Sequence, residues 1–261
     1  MFDNYEWFKS KVLALTAIDL NAYKERQMKR RIDALITKNK LNSYEEYLNL
    51  LRKDKVALKA FVNYLTINVS EFFRNTEQWK VFENTILPYL FEKKGKKLKI
   101  WSAACSTGDE PYTIAMILLK HMARTQFELI ATDIDDQVLA KAQSGMYNSK
   151  SIAGVPDEFK SYFTDLGSGT YQISDKIMSC VKFKQHNLLK DPYPTNCDLI
   201  VCRNVLIYFT DEAKDNIFHK FNRSLNSNGV LFIGNTEQIL SPKTFGYKAI
   251  KSFFYTKDSE A

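Results

Sequence analysis

The sequence predicts an α/β domain preceded by an all-helical N-terminal domain, and three observations carry this prediction. Residues 98–112, LKIWSAACSTGDEPY, are a short apolar run, a turn of small residues and the start of a helical pattern. Residues 127–135, FELIATDID, are a second apolar run that ends in acids. The chain before Arg74 contains no glycine and has helical patterning. Strand, small-residue turn, helix, strand and acid indicate the opening βαβ unit of a nucleoside-binding sheet.

The rest of the chain continues this alternation of strands and helices. The predicted elements are strand 98–103, helix 110–122, strand 127–134, helix 136–143, strands 181–184 and 198–202, helix 211–225 and strand 229–235. The final segments FGYKAI and SFFYTKD have no helix between them and predict a hairpin. A parallel sheet closed by an antiparallel hairpin is the common methyltransferase architecture. The predicted hairpin therefore favours a methyltransferase fold over a plain dinucleotide-binding domain.

The predicted domains are a helical domain over 1–75, a helix and linker over 76–97, and an α/β domain over 98–261 with an insertion at about 147–180. The helix in the linker spans about 77–92, and the lysine-rich residues 93–97 end it. Within the insertion, Gly167-Ser168-Gly169 is a turn signal that predicts short antiparallel strands. Both a partner surface and a passive loop are consistent with such an insertion.

Composition sets the class of protein. A chain of 261 residues with 45% apolar and 26% charged residues is globular and long enough for a large and a small domain. It lacks the ~18 consecutive apolar residues of a membrane span and the basic-then-apolar order of a signal peptide. The four cysteines and three histidines have no metal-site spacing, so we expect no disulfide framework and no metal. Cys197 and Cys202 are expected to be buried residues of a cytosolic protein.

The positive charge is concentrated in the N-terminal domain. The chain has a formal charge of +7, and residues 1–75 contain 14 lysines and arginines against 9 aspartates and glutamates. Met28, Ile32, Leu35 and Ile36 fall on one helical face. The basic residues around that face are Lys24, Arg26, Lys29, Arg30 and Arg31. A solvated helix is one interpretation, but the asymmetry favours a docking face for an acidic helix or a nucleic-acid backbone.

The turn after the first strand indicates which ligand the sheet would bind. Gly108 is its only glycine, so it is not the G-x-G-x-x-G turn of a dinucleotide site. Asp109 and Glu110 open the helix, where two carboxylates would repel a phosphate and attract a cation. Asp133 could accept hydrogen bonds from both ribose hydroxyls. S-adenosylmethionine, a nucleoside with a cationic tail, therefore fits better than NAD or ATP, although an ordinary acidic helix cap is an alternative.

Six motifs in order resemble the chemotaxis receptor methyltransferase (CheR) family. They are NVSEFFR, IWSAACSTGDEPYTIA, ATDID, HNLL, CRNVLIYF and GVLFIGNTEQI, and the resemblance covers about residues 15–256. Asp109 stands where the family usually has Glu, and Ser70 where many members have Thr. The first change keeps the charge and the second keeps the hydroxyl.

The resemblance implies a Rossmann-like S-adenosylmethionine-dependent methyltransferase domain with a small antiparallel β insertion and an all-helical N-terminal domain. It implies methyl transfer to glutamates of membrane-bound chemoreceptors, with S-adenosylhomocysteine as the other product. We expect a cytoplasmic monomer that is recruited to receptor arrays, without membrane insertion or nucleic-acid binding. By motif position, the cofactor-binding residues are Asn68, Ser70, Arg74, Glu110, Asp133, Asn187, Leu188, Asn204 and Val205.

Arg74 and Tyr208 are the predicted catalytic residues. A glutamate side chain has a pKa of ~4.3 and is already ionised at neutral pH, so the reaction needs no general base. We expect these two residues to orient the incoming carboxylate or the cofactor. Arg74 could instead only pair with Glu110, and Tyr208 could be a core aromatic residue. Arg203 could belong to the pocket or support it from behind.

Two other classes are consistent with part of the sequence. A nucleic-acid methyltransferase would suit the positive charge. However, an amino-group methylase would carry an Asn/Asp-Pro-Pro-aromatic loop where this chain has RNVLIY, and no cysteine follows proline as a C5-pyrimidine enzyme requires. A non-catalytic cofactor sensor is the second alternative, but the chain keeps the acids and the polar pocket residues.

Overall fold

A computed structural model of the protein describes residues 4–258 and divides the chain into two compact units. The first unit comprises the residues up to Asn68 together with Leu206–Asn216. The second comprises Val69–Val205 and the residues from Ile217 onward. The outermost parts of the predicted domains, 1–3 and 259–261, lie outside the described residues. Within the described part, every helix is too short or too polar to cross a membrane.

The first unit is helical, as the sequence predicts. Its helices are α1 (Tyr5–Thr16), α2 (Glu25–Lys38), α3 (Tyr44–Lys53) and α4 (Lys55–Thr66), with 3-10 turns at Leu20–Ala22 and Leu206–Tyr208. Side-chain caps fix two of the helix starts. Ser43 Oγ accepts a hydrogen bond from the backbone N–H of Glu46 at 3.1 Å, and Asp54 Oδ1 accepts from that of Val56 at 2.7 Å.

Aromatic rings form the core of the first unit. Phe8 lies 4.8 Å from Tyr44 between ring centroids, and Tyr47 lies 5.7 Å from Phe61. The apolar face of α2 joins this core, and its predicted members Met28, Ile32, Leu35 and Ile36 are all buried. This confirms the amphipathic interpretation of the helix.

A distant segment of the chain completes the first unit. The backbone N–H of Lys24 donates to the carbonyl of Tyr208 at 2.9 Å, and that of Thr210 donates to the carbonyl of Ala22 at 2.8 Å. The rings of Tyr23 and Phe209 pack with centroids 4.9 Å apart. Residues 206–210 are therefore fastened to the chain just before α2.

The second unit is built on a seven-stranded sheet with the order β6-β2-β1-β7-β8-β10-β9. Its strands are β1 (Leu98–Ala103), β2 (Phe127–Asp133), β6 (Val181–Gln185), β7 (Cys197–Cys202), β8 (Leu225–Ile233), β9 (Tyr247–Lys251) and β10 (Phe254–Lys257). Strands β6, β2, β1, β7 and β8 are parallel, and β10 and β9 continue the sheet antiparallel. The predicted parallel sheet closed by a hairpin is confirmed.

In the second unit a helical run precedes β1, and further helices alternate with the strands of the main sheet. They are α5 (Thr76–Val81), a π-helical turn (Phe82–Ile86), α6 (Leu87–Lys94), α7 (Asp109–His121), α8 (Asp136–Ser144) and α12 (Asp211–Ser224), whose first residues belong to the first unit. Short 3-10 turns lie at Arg124–Gln126 and Pro242–Phe245. The helix predicted at 77–92 is thus a longer helical run, from Thr76 to Lys94, that contains a π turn.

One predicted strand start was wrong. The strand predicted at 229–235 begins at Leu225, which pairs with Cys197, and the register then shifts before Val230 pairs with Leu199. The polar residues 226–229 resemble a turn in sequence, but they lie in this irregular part of the strand.

The insertion forms a sheet of its own, as predicted. Its strands β3 (Met146–Asn148), β5 (Thr170–Ile173) and β4 (Phe163–Gly167) pair antiparallel in that spatial order. The insertion also contains three one-turn helices. The helices α9 (Ser149–Ile152) and α10 (Asp157–Lys160) lie between β3 and β4, and α11 (Asp175–Met178) leads from β5 to β6 of the main sheet. All four cysteines of the chain are buried and free, including Cys197 and Cys202 of β7.

Candidate functional site

Polar residues converge on the carboxyl edge of the parallel strands. Asp133 is the last residue of β2, Arg203 follows β7 directly, and Asn187 lies two residues beyond β6. Glu237 follows β8 in the same way. The carboxyl ends of parallel strands are where open α/β sheets bind their ligands.

The turn after β1 has an unusual backbone. Ala104 and Ser106 have positive φ angles of 62° and 50°, which L-residues adopt at some energetic cost, and Gly108 has 88°. A Cβ atom added at Gly108 would lie only 2.8 Å from Ala142 Cβ. The hydroxyl of Ser106 is buried and makes no hydrogen bond to any residue in the described range. The turn is therefore tightly held and leaves one polar atom for a ligand.

Asp133 fastens this turn to the end of β2. Its Oδ2 accepts a hydrogen bond from the backbone N–H of Ser106 at 2.8 Å, and its Oδ1 accepts from that of Asp135 at 3.1 Å. Burial raises the pKa of Asp133 to about 6, although these hydrogen bonds oppose the shift. A carboxylate has about four acceptor positions, so Asp133 can still accept hydrogen bonds from a ligand.

The two acids at the start of α7 point inward. Glu110 accepts from Ser102 Oγ at 2.8 Å, and burial raises its pKa although the charge of Arg203 opposes the shift. Asp109 is fully buried and accepts from Thr107 Oγ1 at 2.5 Å, and burial raises its pKa as well. Asp109 is therefore buried, and the side chain of Glu110 is only 12% exposed.

Arg203 is the central cation of this edge. Its Nη1 lies 3.6 Å from Glu110 Oε2. Its Nη2 donates to the carbonyl of Arg74 at 2.8 Å and to Gln78 Oε1 at 2.7 Å. The guanidinium carbon lies 4.8 Å from the ring centroid of Phe232, a cation–π distance. Arg203 thus ties the start of α5 to Glu110.

Glu237 is a buried acid that the sequence analysis did not single out. Its Oε2 accepts hydrogen bonds from the backbone N–H groups of Asn204 at 2.7 Å and Gly234 at 2.8 Å. Asn204 has a positive φ of 61°, so Glu237 supports a strained position. The motif GNTEQI contained this residue, but only the pairing of β7 with β8 brings it to Asn204.

The remaining predicted cofactor-binding residues are divided between the units. In the second unit, Ser70 forms a hydrogen bond with Asp109, and half-buried Arg74 donates from Nη1 to the carbonyl of Val69 at 3.1 Å. Asn187 Oδ1 accepts from the backbone N–H of Leu189 at 2.9 Å, Leu188 is buried and Val205 is half-buried. Asn68 and Tyr208 belong to the first unit, where Asn68 Nδ2 donates to Thr66 Oγ1 at 2.8 Å.

The five predicted docking residues differ in accessibility. Lys24, Arg26 and Arg30 are exposed. Lys29 is partly buried and donates to the hydroxyl of Tyr44 at 3.0 Å. Arg31 donates to the carbonyl of Tyr64 and lies 4.3 Å from the centroid of its ring. Only the first three are therefore fully available to a partner.

The charges at the strand edge suit a ligand with a positive group. Four carboxylates, those of Asp109, Glu110, Asp133 and Glu237, lie buried or nearly buried in the second unit. Arg203 is the buried cation beside them, and burial lowers its pKa, with a further lowering from the charge of half-buried Arg74. Acids thus outnumber cations, which favours an ammonium or sulfonium group. No group of His, Cys, Asp and Glu side chains within residues 4–258 is arranged to hold a metal ion.

Comparison with known proteins identifies the family. Residues 68–253 match the CheR methyltransferase, SAM binding domain, and residues 3–66 match the CheR methyltransferase, all-alpha domain. The chain is 43% identical to a chemotaxis protein methyltransferase of Listeria monocytogenes over 97% of both chains. It is 35% identical to one of Borreliella burgdorferi over 88% of this chain and 86% of that one. A TehB-like SAM-dependent methyltransferase structure from Corynebacterium glutamicum is more distant, with a TM-score of 0.39 and 12% identity over 70% of this chain and 93% of that one. The two domain matches and the two close relatives show that this chain belongs to the CheR methyltransferase family.

Proposed function

We propose that this protein transfers a methyl group from S-adenosylmethionine to glutamate side chains of membrane-bound chemoreceptors. The products are γ-glutamyl methyl esters and S-adenosylhomocysteine, and the reaction serves chemotactic adaptation. The observation that carries the proposal is the buried cluster of Asp133, Glu110 and Arg203 at the carboxyl edge of the sheet, in a member of this family. The protein would act as a cytoplasmic monomer at receptor arrays.

The residues of the second unit fit S-adenosylmethionine. Asp133 would accept hydrogen bonds from the ribose hydroxyls, and Glu110 would hold the methionyl ammonium group. The buried Ser106 hydroxyl, unpaired among the described residues, gives a further polar contact. The remaining cofactor contacts in this unit would come from Ser70, Arg74, Asn187, Leu188, Asn204 and Val205. When bound, the cofactor supplies a methyl group activated on a sulfonium.

The protein needs no residue to remove a proton from the substrate. A glutamate side chain, with a pKa of ~4.3, arrives as a carboxylate at neutral pH. Its negative charge is lost on methylation, and such a reaction is faster in a site that excludes water and fixes the approach of the reactants. The role of this protein would therefore be to bind the cofactor and the substrate glutamate, to orient them and to exclude water from them.

Arg74 and Tyr208 would orient the incoming carboxylate. An arginine can hold a carboxylate through two N–H groups, and a phenol can donate one more hydrogen bond. Within the first unit, the carbonyl of Tyr208 accepts from the backbone N–H of Lys24 at 2.9 Å. The proposed orienting tyrosine is thus linked to the first residue of the proposed docking surface.

The exposed cations Lys24, Arg26 and Arg30 would dock along the glutamate-bearing helices of the receptor. Opposite charges on two helical surfaces steer their encounter and fix their register. Lys29 and Arg31 would support this surface from within, since their side chains contact Tyr44 and Tyr64. The partner is therefore the cytoplasmic helical region of the receptor, without nucleic acid and without membrane insertion.

Transfer of radiolabelled methyl from S-adenosylmethionine tests the proposal. The protein is incubated with receptor-containing membranes and, in parallel, with an RNA mixture. We expect base-labile label on a receptor-sized band, as a carboxyl methyl ester requires, and no label in a control with Asp133→Asn. Label on RNA would contradict the proposal in favour of a nucleic-acid methyltransferase. Bound cofactor without any transfer would contradict it in favour of a sensor.

A further inference from the structure

A tyrosine of the insertion reaches the turn that follows β1. Tyr147 of β3 is only 2% exposed, and its hydroxyl donates to the carbonyl of Thr107 at 2.7 Å. The same hydroxyl lies 3.0 Å from where a Cβ atom at Gly108 would be. Any side chain at position 108 would therefore crowd the Tyr147 hydroxyl, and only glycine allows the turn to approach the insertion this closely.

The insertion also holds the segment that carries Ser70 and Arg74. The backbone N–H of Phe72 donates to the carbonyl of Ser151 at 3.1 Å. The ring of Phe72 packs edge-on against Tyr147, at 4.7 Å between centroids, and against Phe163 at 5.0 Å. One side chain, Tyr147, thus contacts both the turn after β1 and the segment 70–74.

The turn depends on such outside contacts because its backbone is strained. Ala104 and Ser106 have positive φ angles, and residues in this region persist only when neighbouring groups hold them. On one side, Asp133 holds the backbone N–H of Ser106. On the other side, the Tyr147 hydroxyl donates a hydrogen bond to the carbonyl of Thr107. The side-chain hydroxyl of Thr107 in turn donates to Asp109.

We propose that Tyr147 is a positioning residue for the cofactor, acting through the backbone of Thr107. The β insertion is then a structural part of the cofactor site, in addition to any contact that it makes with a partner. This inference rests on the proposed function, because it takes the turn after β1 as the place where S-adenosylmethionine and S-adenosylhomocysteine bind. The role of Tyr147 is to preset the turn before the ligand arrives, so that binding does not have to order it.

The test is binding of S-adenosylhomocysteine to the full chain carrying Tyr147→Phe, measured by titration calorimetry. One hydrogen bond to a backbone carbonyl changes an equilibrium by roughly 3- to 10-fold, so we expect Kd to rise by about that factor. The KM for S-adenosylmethionine should rise by a similar factor, with kcat nearly unchanged. Hydrogen exchange at residues 105–110 of the ligand-free protein should become faster, with the rest of the second unit unaffected.

Tyr171→Phe is the matched control. Tyr171 faces Tyr147 across the β3–β5 pair, and its hydroxyl makes no hydrogen bond to any described residue. We expect the Tyr171→Phe variant to have the wild-type Kd for S-adenosylhomocysteine and the wild-type rate of hydrogen exchange at residues 105–110. If Tyr147→Phe also keeps wild-type Kd and exchange, or if exchange rises uniformly through the second unit, the positioning role is wrong. Failure of the wild-type protein itself to bind S-adenosylhomocysteine would instead overturn the proposed function.

Discussion

In the first unit three cations of the α2 region lie at the surface, whereas in the second unit the charged groups at the strand ends are buried or nearly buried. Lys24, Arg26 and Arg30 are exposed to water. Glu110 and Arg203 have side chains that are 12% and 3% exposed. Water and salt screen the first set, and the second set interacts in a medium of lower dielectric constant.

This difference assigns different tasks to the two regions. Exposed charges contribute little to stability, but they steer a partner of opposite charge from a distance. Removing one member of a pair of buried charges strongly lowers stability. The surface region should therefore respond to salt, and the buried region to mutation and pH.

Arg203→Met should have the largest effect, because it removes the cation from the buried cluster. Glu110 would be left without its ion pair, Gln78 Oε1 would lose its donor, and the carbonyl of Arg74 would keep only the indole N–H of Trp79. Breaking a buried pair by removing one partner costs about 3–5 kcal/mol. Urea denaturation of the ligand-free protein measures the loss.

Exposed Arg223 gives the matched control for this experiment. Arg223→Met should change the free energy of unfolding by no more than about 0.5 kcal/mol, as is usual for a surface substitution. Equal stabilities of the two variants would show that the buried cluster is not held by Arg203.

Arg74→Ala and Tyr208→Phe compare one proposed orienting residue from each unit. Misplacement of a reacting group by about 1 Å can slow a reaction roughly 100-fold. We expect Arg74→Ala to lower kcat by up to that factor and Tyr208→Phe to lower it about tenfold, because phenylalanine loses only one hydrogen bond. Receptor methylation at saturating S-adenosylmethionine provides the measurement, with exposed Arg52→Ala as control. Near-normal turnover in both variants would contradict the orienting role.

The pKa of Asp133 makes the buried region sensitive to pH. Only the ionised carboxylate accepts hydrogen bonds from both ribose hydroxyls, and its pKa in the ligand-free protein is about 6. As pH falls below about 6, the affinity for S-adenosylhomocysteine should therefore fall, by up to about tenfold per pH unit. Titration calorimetry between pH 5 and 8 measures it, and Asp133→Asn should bind weakly at every pH.

The same shift has the opposite consequence for stability. A carboxyl whose pKa is raised by folding, here from 3.8 to about 6, binds its proton more tightly in the folded state. Its contribution to stability is therefore greatest below pH 4 and is lost as pH rises through about 6. Asp133→Asn should remove this decline in the urea midpoint, whereas Asp136→Asn, at an exposed position of α8, should retain it.

Charge reversal on α2 should have the smallest effect. Arg26→Glu with Arg30→Glu should slow receptor methylation about 3- to 10-fold at low salt, because like charges would then meet at the docking surface. The affinity for S-adenosylhomocysteine should not change. The control is Lys53→Glu with Lys55→Glu, which alters the net charge of the first unit equally at other exposed positions. A methylation rate that does not vary with salt would count against electrostatic docking.

Local patterning predicted the first βαβ unit well. Strand β1 has the predicted bounds, and α7 and β2 differ from the predicted bounds by one residue at most at each end. Apolar runs bounded by a small-residue turn and by acids carry this information within a few residues of each boundary. The π turn at Phe82–Ile86 was not predicted, because one extra residue in a helical turn hardly disturbs an apolar pattern.

The candidate site was only partly predictable because its contacts join distant parts of the chain. Asp133 and Glu110 stand at element ends, where their placement can be predicted from the sequence. Arg203 forms a hydrogen bond with Gln78, which is 125 residues away in the sequence. Asn204 forms one with Glu237, which is 33 residues away. Glu237 reaches Asn204 because β7 and β8 are neighbours in the sheet, and no local pattern states this order.

The assignment of residues 206–216 to the first unit has a consequence for biosynthesis. The helical unit is read first by the ribosome, but the residues that pair with Ala22 and Lys24 are made after β7. At about 5–20 residues per second, synthesis of the chain between α4 and this segment takes about 7 to 30 seconds. The first unit therefore acquires its full set of backbone hydrogen bonds only after β7 has been synthesised.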